Sequence, residues 1–312
     1  MNNNDKIFVA GHKGLVGSSI VKKLKELSYN NILTMNKNEL NLIDQNATDH
    51  FFDLMRPDYV FLAAARVGGI YANSTYPADF TYENLMVECN IIKSCHKYEV
   101  KKLLFLGSSC IYPRDCEQPI KEEYLLSGPL EKTNDGYAIA KIAGIIMCQK
   151  YNKQYGTNFI SIMPTNLYGS INDNYDPKTS HVLPGMIRKF HYAKKNNLPI
   201  MELWGTGKPL REFLHVSDLA DASIFLMNNY DSSDIINVGS GEEISIRRLA
   251  WTIQDIVGYE GKVYFNDSYP DGTPRKFLDT TKLRNLGWEP KISLEEGIRS
   301  TYDEILLKKK FD

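Results

Sequence analysis

The sequence has no apolar run approaching the ~20 residues that a bilayer-spanning helix requires. It also lacks the cationic and apolar opening of a secretory signal: Met1-Asn-Asn-Asn-Asp5 is polar and leads into only a short apolar run. The expectation is therefore a cytoplasmic protein without membrane association. Cysteine is scarce. Cys89, Cys95, Cys110, Cys116 and Cys148 are odd in number and show neither a CxxC nor a zinc-ligand spacing. That argues against a disulfide framework and for reduced thiols. His12, His50, His96, His191 and His215 have no metal-ligand spacing, and no metal is expected; His191 and His215 read as packing or loop residues. Charge of one sign is not in excess, with 37 Lys and Arg against 38 Asp and Glu. A net charge of −1 argues against a nucleic-acid partner or a strongly basic membrane surface, though not against local anion sites. There is no internal repeat and no low-complexity linker.

What is present is an ordinary globular chain, 43% hydrophobic and 24% charged over 312 residues. Strand-like runs at Ile7–Ala10, Asn31–Met35, Tyr59–Ala63, Leu103–Leu106 and Phe159–Met163 alternate with helical patterns near 14–27, 45–56, 80–98 and 137–155. Such alternation predicts βαβ units on a parallel sheet. The fold class is therefore α/β: a Rossmann-like doubly wound parallel sheet with a smaller C-terminal α/β substrate lobe. After about residue 165 the pattern weakens, with irregular stretches near 168–182 and 202–212. The stretch 215–229 and the strand Ile235–Val238 are expected to return to the first domain. We expect residues 1–165, plus roughly 212–238, to form the dinucleotide-binding domain. Residues 166–211 and 239–312 would form the substrate domain. Lys308–Lys310 reads as a solvated helix end.

Gly11-His-Lys-Gly14-Leu-Val-Gly17 follows the first strand and opens the first helix. Glycine permits the tight turn and the close approach of a pyrophosphate, and the helix N-terminus attracts the anion. The segment after the second strand, Met35-Asn-Lys-Asn38, lacks the acid that usually holds the ribose hydroxyls of NAD. Lys37 stands in its place, and Lys13 lies in the glycine loop. Two cations there favour a 2′-phosphate, hence NADP over NAD. The alternative is that both lysines are solvated.

Tyr137-Ala-Ile-Ala-Lys141 puts a phenol and an ammonium one helical turn apart on one face. A nearby cation would lower the phenol pKa and ready it as an acid. Tyr98 and Lys102 share the spacing, but they straddle a helix end away from any expected site. Ser108 and Ser109, in contrast, follow the strand ending at Gly107, on the side where ligands of an open parallel sheet gather. Glycine loop, strand-end serine and YxxxK in this order resemble the extended, sugar-nucleotide branch of the short-chain dehydrogenase/reductase superfamily.

The resemblance narrows on further segments: Leu62-Ala-Ala-Ala-Arg-Val-Gly-Gly69, Leu106-Gly-Ser-Ser-Cys-Ile-Tyr-Pro113, Tyr137-Ala-Ile-Ala-Lys-Ile-Ala-Gly144, Pro164-Thr-Asn-Leu-Tyr-Gly169, Arg211-Glu-Phe-Leu-His215 and Pro270-Asp-Gly-Thr-Pro-Arg275. Over essentially the whole chain, these are similar to the GDP-L-fucose synthase family, the GDP-4-keto-6-deoxy-D-mannose 3,5-epimerase–4-reductases. That resemblance implies NADPH as cofactor, a GDP-4-keto-6-deoxy sugar as substrate, and a homodimer built on two long helices per subunit. It implies cofactor contacts from Gly11, His12, Lys13, Gly14, Leu15, Val16 and Gly17. Lys37, Leu106, Gly107, Ser108, Ser109 and Lys141 would add to them, as would Pro164, Thr165, Asn166, Leu167 and His181. It implies substrate contacts from Lys189, Trp204 and Arg211, with Asp271 and Arg275 in the matching C-terminal segment.

The chemistry sets its own requirement. A C4 ketone acidifies the protons on C3 and C5, and inverting those centres needs a base on one face and an acid on the other. Cys110 and His181 match the family's two epimerisation residues. A thiol becomes a useful base when a cation lowers its pKa from ~8.5. An imidazole near pKa ~6.5 can donate. In the reduction, the resemblance gives Tyr137 the proton to O4, Lys141 the nicotinamide ribose, and Ser108 the carbonyl. The same chemistry on a dideoxy sugar or heptose would leave these motifs unchanged. A 4,6-dehydratase would need an acid pair after the active-site hydroxyl, and Ser108-Ser-Cys-Ile111 has none. A catalytically silent NADP-binding regulator would have no use for Ser108, Cys110, Tyr137, Lys141 and His181 together.

Overall fold

The computed structural model describes residues 1–169, 172–176, 179–269 and 271–311. Its frame grows from short, fully buried apolar runs. β1 (Ile7–Ala10) is buried at all four positions. α1 (Leu15–Glu26) follows the glycine loop and buries Gly17, Ile20 and Leu24 on one stripe. Then come β2 (Ile32–Leu33), α2 (Gln45–Met55), β3 (Tyr59–Leu62), α3 (Ile70–Thr75), α4 (Pro77–Lys97), β4 (Lys102–Leu106), α5 (Asp135–Tyr155) and β5 (Phe159–Pro164). The helix ends follow local chemistry. The Asp44 carboxylate accepts from the Asn46 and Ala47 N–H groups and caps α2. Gly156 ends α5 with φ +67°.

The second half continues with β6 (Asn166–Tyr168), α6 (Val182–Lys195), β7 (Ile200–Trp204), β8 (Leu210–His215), α7 (Val216–Asn229) and β9 (Ile236–Val238). β10 (Glu243–Ser245), α8 (Ile246–Val257), β11 (Lys262–Asn266), β12 (Arg275–Lys276), α9 (Thr281–Asn285) and α10 (Leu294–Leu307) complete it. The main sheet has the order β2-β1-β3-β4-β5-β9, with all its pairs parallel. The chain returns late in the sequence to supply β9 beside β5 and α7 against the face that carries α1. One apolar core, including Phe52, Ile92 and Phe105, packs α2, α4 and α5 on one face of the sheet. A second, with Ile20, Leu219 and Ile224, packs α1 and α7 on the other. A third core, around Phe190, Leu249 and Tyr302, joins α6, α8 and α10 beyond the sheet.

Three sequence expectations change. The second strand was expected over 31–35, but only Ile32–Leu33 pairs. It is the sheet edge, and the chain then turns at Asn36, whose N–H donates to the Glu39 carboxylate. α3 had no sequence signal. The stretch 202–212 is not irregular, since it contains the end of β7 and the start of β8. Along β7, exposed and buried residues alternate strictly, the pattern of a half-covered strand.

β1 lies between β2 and β3, so the winding reverses there. In such sheets the ligand crevice opens where the strand order reverses, beyond the carboxyl ends of the strands. Gly11 leaves β1 at that point with φ +86°, and a Cβ on it would meet the backbone of Ala63 and Ala64 after β3. A Cβ on Gly17 would run into the Gly11 carbonyl. We expect Gly17→Val to cost about 2–3 kcal/mol through overpacking, with loss of dinucleotide binding. Denaturant melts check this, and a wild-type midpoint would refute it.

Candidate active site

The glycine loop presents an anion site. The Gly14 N–H donates to the Gly11 carbonyl at 3.0 Å, closing the turn. Gly14 caps α1 without any side-chain hydrogen bond, and the first turn carries no acid. The N–H groups and positive end of a twelve-residue helix are therefore open to phosphate. His12, Leu15 and Val16 line the loop half-buried, while Lys13 and Lys37 are exposed and form no ion pair among the described residues. The floor of the crevice comes from strand ends. Leu106 is buried, and the Gly107 N–H donates to the Ile162 carbonyl. Pro164 pairs with Val238, the Thr165 N–H donates to the Val238 carbonyl, and the Asn166 side chain donates to the Glu212 carbonyl at 2.8 Å. Leu167 packs against the second core. These residues fit a dinucleotide laid across the sheet.

Beyond β4, Ser108 is extended and starts one short 3₁₀ turn, Ser109–Ile111. Its Oγ accepts from the Cys110 N–H at 3.2 Å. Ser109 is buried in that turn. Tyr137 stands in the first turn of α5, close enough to Ser108 for the serine to lower its phenol's pKa. Serine, phenol and thiol thus share one corner of the crevice. Burial pushes the Tyr137 phenol up, the Cys110 and Glu88 anions add to this, and Ser108 only partly opposes it. This reverses the expectation of a phenol lowered by Lys141. The main reason is burial of the phenol; in addition Lys141 Nζ lies 3.1 Å from Glu88 Oε1, both side chains being 2% exposed, so its charge is opposed locally. The ammonium sits 5.8 Å from the centre of the Tyr137 ring. Tyr98 and Lys102, the rival pair, are committed elsewhere, to Asp49 and Asp231.

Cys110 has three polar neighbours. The Asn134 Nδ2 donates to its Sγ at 3.2 Å, and Lys276 Nζ reaches it at 3.6 Å. Burial alone would raise the thiol, but the Lys276 charge and the hydrogen bonds from Ser108, Lys276 and Asn134 bring it below the ordinary thiol value. His181 caps the start of α6, the preceding Thr179 carbonyl accepting from the Gly69 N–H. The residue is exposed on one side and crowded by protein on the other. Burial, and then Lys276, lower its pKa. The imidazole is therefore protonated in a smaller fraction of molecules than an unperturbed ring, and its protonated form is the stronger acid.

A second group lies on β7, β8 and the segment after β11. Trp204, 63% exposed, stacks on Tyr269 at 4.5 Å and 12°, and Lys189 Nζ lies 5.2 Å from the centre of the Trp204 ring. The Asp271 carboxylate accepts from the Thr206 N–H and hydroxyl at 2.9 and 2.6 Å. Arg211 is half-buried, with one N–H donated to the Leu210 carbonyl and Asp271 as its nearby counter-charge. Arg275 is committed to Glu243 by two bonds of 2.7 Å. Its neighbour Lys276 is the one that reaches the thiol. Pro270, which opens the quoted segment, lies outside the described residues.

Three residues at this site escaped the sequence reading. Lys276 lies one residue past the last matched motif, and only tertiary structure brings it to Cys110. Asn134 is the residue before α5, an ordinary cap position. Glu88 had a usable signal. It falls on the buried stripe of α4 with Asn84, Val87, Ile91, Ile92 and Cys95, and an acid on such a stripe needs a partner.

The sequence profile of the NAD dependent epimerase/dehydratase family matches residues 7–239, from β1 through β9. The chain belongs to this family. Within it, GDP-L-fucose synthase 1 of Arabidopsis thaliana is 55% identical over 298 residues, covering 96% of this chain and 92% of that protein. Among solved structures, a GDP-L-fucose synthetase from Naegleria fowleri bound to NADP is 30% identical, with a TM-score of 0.92, covering 99% of this chain and 96% of that one. A GDP-6-OMe-4-keto-L-xylo-heptose reductase from C. jejuni is 40% identical, with a TM-score of 0.94 and 99% coverage of both chains. Among the described residues, no cluster of His, Cys, Asp or Glu could hold a metal, and no helix is long and apolar enough to cross a membrane.

Proposed function

We propose that this family member is a bifunctional NADPH-dependent 3,5-epimerase and 4-reductase, converting GDP-4-keto-6-deoxy-D-mannose to GDP-L-fucose. One observation carries the reading: an acid–base pair for reduction and a cation-stabilised thiol for epimerisation meet on one strand-end turn. Cys110 removes the acidified protons at C3 and at C5, and His181 returns one from the opposite face at each centre. Ser108 holds the C4 oxygen, and Tyr137 protonates it as the ketone is reduced. Bound NADPH supplies the hydride. Lys141 holds the nicotinamide ribose, the loop from Gly11 to Gly17 holds the pyrophosphate, and Lys13 and Lys37 select the 2′-phosphate. Incubation with NADPH and GDP-4-keto-6-deoxy-D-mannose should give GDP-L-fucose by NMR; failure to consume NADPH refutes the reading. NADPH should outperform NADH, and equal or better use of NADH would remove the two lysines from cofactor choice.

Lys189, Trp204, Arg211 and Asp271 are suited to the nucleotide end of the substrate: an aromatic face for the base, and cations for the diphosphate. Arg211→Ala should raise the substrate KM about 100-fold, since charge-assisted paired bonds are worth about 1.5–3 kcal/mol. An unaltered KM removes Arg211 from the site. The C. jejuni heptose reductase favours a second reading, the same chemistry on a related GDP-4-keto sugar, and the NMR product separates the two. Residues 1–165 and about 212–238 serve as the cofactor domain, and the remainder as the substrate lobe. The reading includes a cytoplasmic homodimer through α4 and α5. Ile139, Ile142, Ala143, Ile146 and Met147 of α5 line an open apolar groove, which supports that face as the contact.

A further inference from the structure

A carboxylate stands behind the reductive pair without touching the crevice. Glu88, on α4, is 1% exposed. Lys141 Nζ approaches its Oε1 to 3.1 Å, an ion pair whose angle falls short of a good hydrogen bond. Oε2 has no hydrogen-bond partner among the described residues. The space for this side chain depends on Gly144, where a Cβ would lie 2.9 Å from Oε2 and collide with Phe105. Phe105 in turn closes over the Lys141 ammonium, 4.8 Å from the ring centre. The charge-bearing groups facing Glu88 are Lys141, Tyr137 and Cys148 on α5 and Cys89 on its own helix. Glu88 is not among the groups that shift Cys110 or His181.

Burying a carboxylate is costly, and a packing role alone would be served by an apolar residue. From the ion pair and the glycine that makes room for it, we propose that Glu88 is a positioning residue for the ketone reduction. It fixes the Lys141 ammonium under Tyr137 and serves the reductive half of the reaction alone. The proposal rests on the epimerase–reductase reading above. It adds a residue that the reading does not use. It also predicts that the two half-reactions respond separately to one substitution.

The test compares wild type, Glu88→Gln and Glu88→Asp. Ketone reduction is followed by NADPH oxidation across pH at saturating GDP-4-keto-6-deoxy-D-mannose. Epimerisation is followed by solvent-deuterium exchange at C3 and C5 without NADPH. Glu88→Gln should lower the kcat of reduction by about tenfold or more, a part of the 10²–10⁴ that a positioned acid contributes. KM and deuterium exchange should stay near wild type. Its reduction should also lose activity at lower pH than wild type, because one of the anions that keep the proton on Tyr137 is gone. Glu88→Asp keeps the charge, so its high-pH limb should stay in place while kcat falls less. Reduction and exchange falling together would make Glu88 a packing residue and overturn the proposal, as would unchanged reduction. Should Glu88→Gln not fold, the aspartate variant decides: a kcat loss confined to reduction supports the proposal, and a loss shared by both reactions overturns it. Wild type that neither exchanges deuterium into any GDP-4-keto sugar nor oxidises NADPH with one sinks the enzymatic reading itself, not the placement of Glu88.

Discussion

Tyr137→Phe should abolish ketone reduction while leaving the protein folded, the cofactor bound and the exchange at C3 and C5 running. In the proposed mechanism the phenol is the acid that meets the C4 oxygen as charge develops there, and phenylalanine fills the same volume without a proton to give. Loss of a positioned acid is worth about 10²–10⁴ in rate. The surroundings sharpen the expectation. Burial, the Cys110 thiolate and Glu88 all raise the phenol, and Ser108 offsets only part of this. A raised pKa keeps the proton on through the neutral range and releases it only at high pH. Wild-type reduction should therefore show no loss between pH 6 and 9 assignable to Tyr137. NADPH oxidation by the variant, measured beside its deuterium exchange, checks both points. Full reduction by the phenylalanine variant would count against the mechanism, and so would loss of both reactions together.

The cofactor half of this arrangement could be read from the chain because its signals are local. Three glycines at set spacing, a strand before them and a helix after them are contiguous, and the backbone contacts that demand them lie within a few residues. YxxxK is local for the same reason, since one helical turn fixes it. Cys110 as a base was not legible from its own surroundings. Its proposed activation rests on Lys276, 166 positions along the chain, delivered by the pairing of β12 with β8. Only resemblance singled it out. The error about Tyr137 has the same origin. Spacing placed Lys141 beside it, but the carboxylate opposing that lysine comes from α4 and is invisible to a four-residue rule. The short second strand and the unexpected α3 reflect weak local preference overridden by tertiary contacts. β8, expected as part of a loop, is held by β6, β10 and β12 rather than by any strong pattern of its own.

Cys110→Ser should slow deuterium exchange at C3 and C5 by about 10²-fold or more, because a serine hydroxyl has no accessible anionic form at neutral pH. Substitution of oxygen for sulfur keeps the size and the hydrogen bonds from Asn134 and Lys276, so the loss tests basicity rather than shape. The pH dependence identifies the form that acts. Burial would raise the thiol, and Lys276 with the hydrogen bonds outweighs it, so the thiolate persists to lower pH than in an ordinary cysteine. Exchange in wild type should accordingly hold its rate as pH falls below ~8.5, the unperturbed thiol value. Lys276→Met removes the main opposing charge and should move that acid limb upward. In the same variant the neutral imidazole of His181 loses a repelling cation, so its own pKa should rise. Both limbs of exchange should therefore move to higher pH together when one lysine is removed. Unchanged exchange in Cys110→Ser would remove the thiol as the base, and an unmoved acid limb in Lys276→Met would remove the lysine as its activator.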